Sequence, residues 1–266
     1  MIAQLIPRRR GLVEHLDQPD IDPADRERAH RDIERSNLLF GGRRAVLLEL
    51  RPLFDELAHG VLLPNGAALT THDDPRSTIH DPRSPLPASA TMLDVGTGLA
   101  DIPWRSREIA RRRGVRLRTV GVDGAFNLTV AARHRLDDAI CGDAFTLPFA
   151  DHRIDVVLCS QLLHHFDQDD ALRLLAELHR VARRRVIVSD LRRSWLAAAG
   201  FWAASHALRF HPITRHDGTI SVLRGFTEGE LGGMVVAATG VQPAIRRRLG
   251  FRLTASWSAT PAFAER

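Results

Sequence analysis

The feature that most constrains this chain is an alternation between residues 92 and 190. Short apolar, β-branched runs are separated by longer stretches with helical spacing. M-L-D-V (92–95), L-R-T-V-G-V-D (117–123), D-A-I-C-G-D (138–143), I-D-V-V-L-C-S (154–160) and R-V-I-V-S-D (185–190) read as strands. Between them, 101–113, 126–135 and 168–183 read as helices. In the last, Leu172, Leu175, Leu178 and Val181 share a face, with Arg173, Glu177 and Arg180 outside it. Strands alternating with helices predict parallel βαβ units and a doubly wound, mostly parallel α/β sheet. Strands that are apolar almost throughout fit a sheet covered on both faces.

The flanks are less regular. Residues 24–60 predict N-terminal helices interrupted at Gly41-Gly42. Residues 64–90 hold five prolines among many Ser, Thr and Asp, which predicts a linker or surface loop. The rhythm breaks over 191–226, where a cap insertion is expected. T-E-G-E (227–230) forms a capping box that opens a helix to about Gly240. R-L-G-F-R-L-T-A-S-W (248–257) alternates like one terminal strand. The expected organisation is an N-terminal helical cap (1–63), a flexible loop (64–90) and a core (91–266) that carries the cap segment.

Composition narrows the chemistry. The chain of 266 residues can bury a substantial core without disulfides or a structural metal. It contains no lysine and no tyrosine, so Schiff-base, P-loop and phenolic acid–base chemistry are excluded. Arginine supplies all the positive side-chain charge behind the net +5. Cys141 and Cys159 form no C-x-x-C pair and no disulfide scaffold. Residues 1–11 lack the apolar run of a signal peptide, and no stretch is as long as a membrane span. A cytoplasmic setting is the expectation.

T-M-L-D-V-G-T-G-L-A-D (91–101) joins the first strand to the first helix of the core. Gly96 and Gly98 permit a tight turn and close approach of a ligand, and the helix start offers free N–H groups. A dinucleotide fingerprint would place a third glycine at 101, but Asp101 stands there and would repel a pyrophosphate. Asp94, at the strand end, suits a cationic ligand group instead.

D-V-G-T-G-L-A resembles motif I of the class I S-adenosylmethionine-dependent methyltransferases, and three later segments match that family in order. Asp123 ends the second strand, where the family carries the carboxylate that binds the ribose hydroxyls. G-D-A (142–144) resembles its adenine-contact segment. F-A-D-H-R-I-D-V-V-L-C-S-Q-L-L-H-H-F (149–166) resembles the fourth-strand motif of small-molecule members, which runs beneath the methionine end of the cofactor. The resemblance implies a Rossmann-like fold and S-adenosylmethionine as cofactor. It implies a cofactor site at Asp94, Gly96, Thr97, Gly98, Asp123, Gly124, Asp143, Ala144, Ser160 and Gln161. T-R-H-D-G-T-I-S-V-L-R-G-F-T-E-G-E-L (214–231) resembles a segment of a bacterial subgroup whose implied substrates are small secondary metabolites or quinone-like rings.

Methyl transfer is an in-line displacement, so the protein must align the reactants and exclude water. A base helps when the acceptor is a phenol, an amine or an acidic ring carbon, and histidine suits that role. His164, next to the expected donor, is the candidate for base or substrate-orienting residue, and His216 is a second catalytic candidate. In quinone-ring C-methyltransferases of similar pattern, the His164 position carries an arginine. His165, Trp202, Asp217 and Arg224 are candidate substrate contacts. No metal site is read from the sequence. The aromatic run 195–210 can wall a substrate, pack as a cap helix or rest on a membrane surface.

The expected reaction is methylation of an O or C atom of a small, aromatic or polyketide/quinone-like acceptor, by a monomer or homodimer. Two other readings stand beside it: an RNA methyltransferase on the same fold, and a non-catalytic S-adenosylmethionine-binding partner subunit. Against RNA, the N-P-P-Y and D-P-P-Y motifs are absent. The triplets Arg111–Arg113, Arg183–Arg185 and Arg246–Arg248 also lack interleaved aromatics and fit predicted element ends.

Overall fold

The computed structural model describes residues 7, 9, 13–18, 20–59 and 88–259. Residues 60–87, which include most of the 64–90 segment expected to be a loop, lie outside the described residues.

The core of the alternation forms as expected. Strands β1 (Ala88–Val95), β2 (Val115–Asp123), β3 (Asp138–Cys141), β4 (Ile154–Ser160) and β5 (Ala182–Leu191) are separated by helices α3 (Asp101–Arg111), α4 (Phe126–Ala132) and α5 (Gln168–Val181). Ahead of them come α1 (Pro23–Leu39) and α2 (Gly42–His59). After them come α6 (Trp195–Ala207), α7 (Pro212–Arg224), α8 (Glu228–Thr239), β6 (Ala244–Arg248) and β7 (Arg252–Ser258). The seven strands form one sheet in the order β3-β2-β1-β4-β5-β7-β6. The first five are parallel, and β7 runs antiparallel to both neighbours. This is the Rossmann-like, doubly wound architecture expected of the methyltransferase fold.

Helix starts are chemically marked. Asp22 accepts from the amides of Ala24 and Asp25 to cap α1, with Pro23 at its first position. The capping box read at 227–230 is present: Thr227 and Glu230 cap each other's backbone at the start of α8. The 248–257 run is not one strand. It crosses a turn at Leu249–Phe251 between β6 and β7, where Gly250 has φ +74°. A Cβ there would sit 1.8 Å from the Phe40 carbonyl oxygen, so only glycine lets the hairpin turn meet the end of α1. Alternation in the sequence survives such a turn, which hides it. Segment 191–226, aperiodic in sequence, forms the helices α6 and α7.

Each sheet face has its own core. On one, α5 and α8 cover β4, β5 and β7 through residues such as Leu174, Leu178, Leu231, Val157 and Val188. On the other, Val46, Leu50 and Phe54 of α2 and Ile102 and Ile109 of α3 cover Met92, Leu117, Leu158 and Ile187. Within 1–63, α2 is thus built into the sheet face, and α1 is the helix that reaches the ligand end. β1 and β2 lie to one side of the topological switch, β4 and β5 to the other, so a crevice opens at the carboxyl ends of these strands.

Candidate active site

A cleft of about 770 Å³ occupies that crevice. Its floor is the strand ends, and its walls come from α1, α7 and the short turn His15–Asp17. The sequence motif 94–98 supplies the centre of the floor. Gly96 (φ +73°) and Gly98 (φ +53°) take backbone conformations that disfavour side chains. A Cβ on Gly96 would lie 2.9 Å from Leu162, and one on Gly98 would lie 3.3 Å from the ring of His30. The Gly98 amide donates to Asp123 Oδ2, and the Ala125 amide to its Oδ1, both at 2.9 Å. Asp123 thereby ties the turn after β1 to the turn after β2.

Asp94 is buried beneath this loop. Thr97 Oγ1 donates to its Oδ2 at 3.0 Å, while Oδ1 has no hydrogen-bond partner. Burial pushes the carboxyl up to about 8, against the pull of the Thr97 hydrogen bond. A buried carboxylate with a spare oxygen at a cleft is a seat for a positive charge. Asp101, the residue that breaks the dinucleotide pattern, also lines the cleft; burial raises its carboxyl to about 6. Ser160 Oγ is a second buried atom without a partner. Gln161, at φ +57°, spans the cleft edge, donating to Asn37 of α1 and accepting from Arg252 at 2.5 Å.

Gly124 lines the cleft beside Asp123. Asp143 and Ala144 are not among its lining residues. Asp143 is exposed and caps its own turn, accepting from the Phe145 amide at 2.9 Å.

Beyond Asp94 and Ser160, two histidines close the cleft. His164 is buried, and its Nδ1 is 2.6 Å from Asp190 Oδ1 at the end of β5. Burial raises the Asp190 carboxyl, but the charge and hydrogen bond of His164 outweigh it and hold Asp190 below the usual carboxylate range. His165 is partly exposed and pairs through Nδ1 with Asp17 Oδ1 at 2.7 Å. Glu14, buried under the same turn, faces both imidazoles. Burial raises its carboxyl to about 7, opposed by the charge of His165.

The remaining sequence candidates do other work. Arg224 is buried: its Nε donates to the His164 carbonyl at 2.9 Å, Nη1 reaches Asp17 Oδ2 at 3.1 Å, and Nη2 donates to the His165 carbonyl. It fastens the two-histidine turn to the N-terminal segment. Asp217 lines the cleft, but its oxygens accept the amides of His15 and Leu16 at 2.9 Å each, which pins that segment in place. His216 and Trp202 are not brought to the cleft. They line a separate shallow groove on the outer side of α6 and α7, where Trp202 packs on His206 and His216 bonds Asp217 at 2.8 Å. The register of these helices turns Phe201 inward and Trp202 outward. Glu14, Asp17, Asp190, His30 and Asn37 carry no motif in the sequence and become visible only in the fold.

Residues 93–189, which span β1 to β5 and the floor of this cleft, match the family model described as a methyltransferase domain. Over that span the chain is similar to a methyltransferase domain.

No curated protein matches the chain. Among solved structures, a magnesium protoporphyrin IX methyltransferase from Synechocystis with bound S-adenosylhomocysteine is 14% identical, with a TM-score of 0.49 over 82% of this chain and 84% of that one. A possible histamine N-methyltransferase from Thermotoga maritima is 14% identical, with a TM-score of 0.49 over 89% and 99%. An S-adenosylmethionine-dependent methyltransferase from Aquifex aeolicus is 15% identical, with a TM-score of 0.47 over 64% and 82%. The residues at the cleft fit S-adenosylmethionine, the cofactor that the resemblance of the 94–100 motif implies. A glycine turn that a Cβ would fill, the orphaned Asp94 oxygen and the Asp123 carboxylate are of the right chemistry for a cationic amino acid joined to a nucleoside. Among the described residues, no helix is long and apolar enough to cross a membrane.

Proposed function

We propose that this methyltransferase methylates an O or C atom of a small, aromatic or quinone/polyketide-like acceptor, as an enzyme of secondary metabolism working in the cytoplasm. The carrying observation is the shape of the cleft. The Asp94 end and the His164 end share one pocket that α1, α7 and the His15–Asp17 turn wall in. Leu16, Ile33, Phe201 and Val222 make part of that wall apolar, which suits a ring.

In this reading Asp94 seats the positive end of the cofactor, and Gly96, Thr97 and Gly98 let the backbone approach it. Asp123 and Gly124 take the ribose, and Ser160 and Gln161 line the methionine side. Asp143 and Ala144 would serve adenine only from outside the cleft as it stands. When bound, S-adenosylmethionine supplies an activated methyl on sulfur; the acceptor atom bonds that carbon as the carbon–sulfur bond breaks and the electron pair stays on sulfur. The chain aligns the two and excludes water. His164, its Nδ1 anchored on Asp190, presents Nε2 to receive the acceptor's proton. Arg224 and Asp217 hold the wall in place without touching the acceptor.

The arginine clusters support a small acceptor over RNA. Arg111 and Arg112 pair with Glu108, Arg113 with Asp55, and Arg183 and Arg184 with Asp155. Each of the five is held by a carboxylate, two pairs of them sharing one, which orients these guanidinium groups along the protein surface and not outward towards phosphates. The test is a methylation assay with labelled S-adenosylmethionine against a panel of phenols, hydroxyquinones and transfer RNA. A mono-methylated small molecule is expected. Label in RNA and in no small molecule would overturn the reading.

A further inference from the structure

Glu14, His164 and His165 converge in a way that acid–base chemistry alone does not require. Glu14 Oε1 lies 3.8 Å from His164 Nε2, and Oε2 lies 3.9 Å from His165 Nε2. Both separations are too long for hydrogen bonds. The far nitrogens are occupied: each Nδ1 bonds a carboxylate, Asp190 for His164 and Asp17 for His165. A carboxylate can only accept, so each Nδ1 carries a proton, and an ion that displaces any proton on Nε2 meets a lone pair there. Two such lone pairs face a carboxylate whose Oε1 is buried and has no hydrogen-bond partner. Electron pairs aimed at one another in a buried space call for a cation between them.

Metal-ligating histidines almost always give their second N–H to a carboxylate or carbonyl, which fixes the ring and raises its basicity. Here both histidines do so.

We propose that Glu14, His164 and His165 form a binding site for a divalent transition-metal ion. Two imidazoles with one carboxylate suit zinc, iron, cobalt or manganese better than calcium or magnesium. Ligand bonds of about 2.1 Å place neighbouring donor atoms about 3.0–3.4 Å apart, so the site closes by roughly half an ångström on loading. The local charge agrees. Asp17 and Asp190 place carboxylates behind the two rings. Arg224 Nη1, 3.9 Å from Glu14 Oε1, is already bonded to Asp17. Three protein ligands leave coordination positions open, and His164 and His165 line the acceptor cleft. An acceptor hydroxyl bound there loses its proton more readily, so in the loaded protein the ion takes over the role that His164 Nε2 has in the metal-free one. That consequence rests on the proposed function; the site itself does not. A second group of side chains, His15, His216 and Asp217, also lies within reach of one ion. Asp217 there already accepts two backbone amides and the His216 ring, so that group serves as the control.

The experiment titrates cobalt(II) into the full-length, metal-stripped protein, without cofactor or acceptor, and follows the visible absorption of protein-bound cobalt. One ion per chain is expected. His165→Ala and Glu14→Gln should weaken binding at least tenfold, and Asp17→Asn by about tenfold through the ring it anchors. His216→Ala should leave it unchanged. Each variant is compared at matched circular dichroism and melting temperature. A variant that fails to fold is replaced by His165→Gln, which keeps the bulk of the partly exposed side chain. Absence of a cobalt spectrum overturns the site, as does binding that survives His165→Ala and is lost in His216→Ala. Cobalt binding with no methylation of any small molecule would overturn the proposed acceptor and leave the metal site standing. Methylation unaffected by stripping, together with no cobalt spectrum, would do the reverse.

Discussion

His164 Nδ1 and Asp190 Oδ1 stand 2.6 Å apart with both side chains buried, and the same carboxylate caps the backbone on either side of the cleft. Oδ1 also accepts the Leu191 amide at 2.7 Å, and Oδ2 accepts the His164 amide at 3.2 Å. Only an acceptor at both oxygens satisfies all three donors. Asp190→Asn sets an NH2 group against one of them and releases the imidazole from its tautomer. Turnover is expected to fall about 100-fold while S-adenosylhomocysteine affinity holds. Steady-state kinetics with calorimetry checks this, and unchanged turnover would remove the pair from the mechanism.

With Asp94 seating the cofactor as proposed, cofactor binding is a proton-linked event. Burial raises its carboxyl to about 8, so in the empty cleft at pH 7 it holds a proton. A bound cation favours the carboxylate, and the proton leaves. Calorimetric titration of S-adenosylmethionine at pH 7, in buffers of different ionisation heat, is expected to show proton release that Asp94→Asn abolishes. Stability follows the same sign. The folded state holds this proton more tightly than the unfolded chain, whose carboxyl titrates at about 3.9. The contribution is complete below that pH and is lost as pH rises towards 8. Asp94→Asn should therefore gain melting temperature relative to the parent between these limits.

Glu49 of α2 holds the β6–β7 hairpin to the sheet face. Its carboxylate accepts from Thr254 at 2.6 Å, from Arg246 at 2.9 Å, and from Arg248. Burial raises the group, but Thr254 and Arg248 outweigh it and hold it below the usual range. Glu49→Gln is expected to cost about 1–2 kcal/mol by removing the charge that the buried Thr254 hydroxyl and the partly exposed Arg246 and Arg248 meet, read as a lower urea midpoint. Because the folded pKa is depressed, the parent keeps this contribution above about pH 4.3 and loses it as pH falls through the folded value. An unchanged midpoint would show the hub to be dispensable.

Asp217 should affect the acceptor more than the fold. With Asp217→Ala, the His15 and Leu16 amides lose their acceptor and the segment that carries Glu14 loosens. The acceptor KM is expected to rise about tenfold, with faster proteolysis near the N-terminus and a smaller loss of melting temperature than Glu49→Gln. Uniform destabilisation with an unaltered KM would assign Asp217 to the fold alone.

What the sequence disclosed follows the range of the forces involved. The five parallel strands, the glycine turn and the α8 capping box are local patterns, written in side-chain period and in residues a few positions apart. Asp94 and Asp123 were legible because strand ends in such a sheet converge on one crevice. Glu14 was not, since its meaning arises from meeting His164 across 150 residues. Asp190 read only as the last residue of a strand. His216 and Trp202 looked chemical because of their type, yet helix register turned both away from the cleft. The β6–β7 hairpin was missed because Leu249-Gly250-Phe251 continues the alternation through a turn that exists to pack on Phe40.

The most direct test of the central claim is a crystal structure with S-adenosylhomocysteine. The account predicts its amino group beside Asp94, its ribose on Asp123, and its sulfur facing the space beneath His164. Nucleoside density outside this cleft, or bound with its sulfur turned away from His164, would contradict the account.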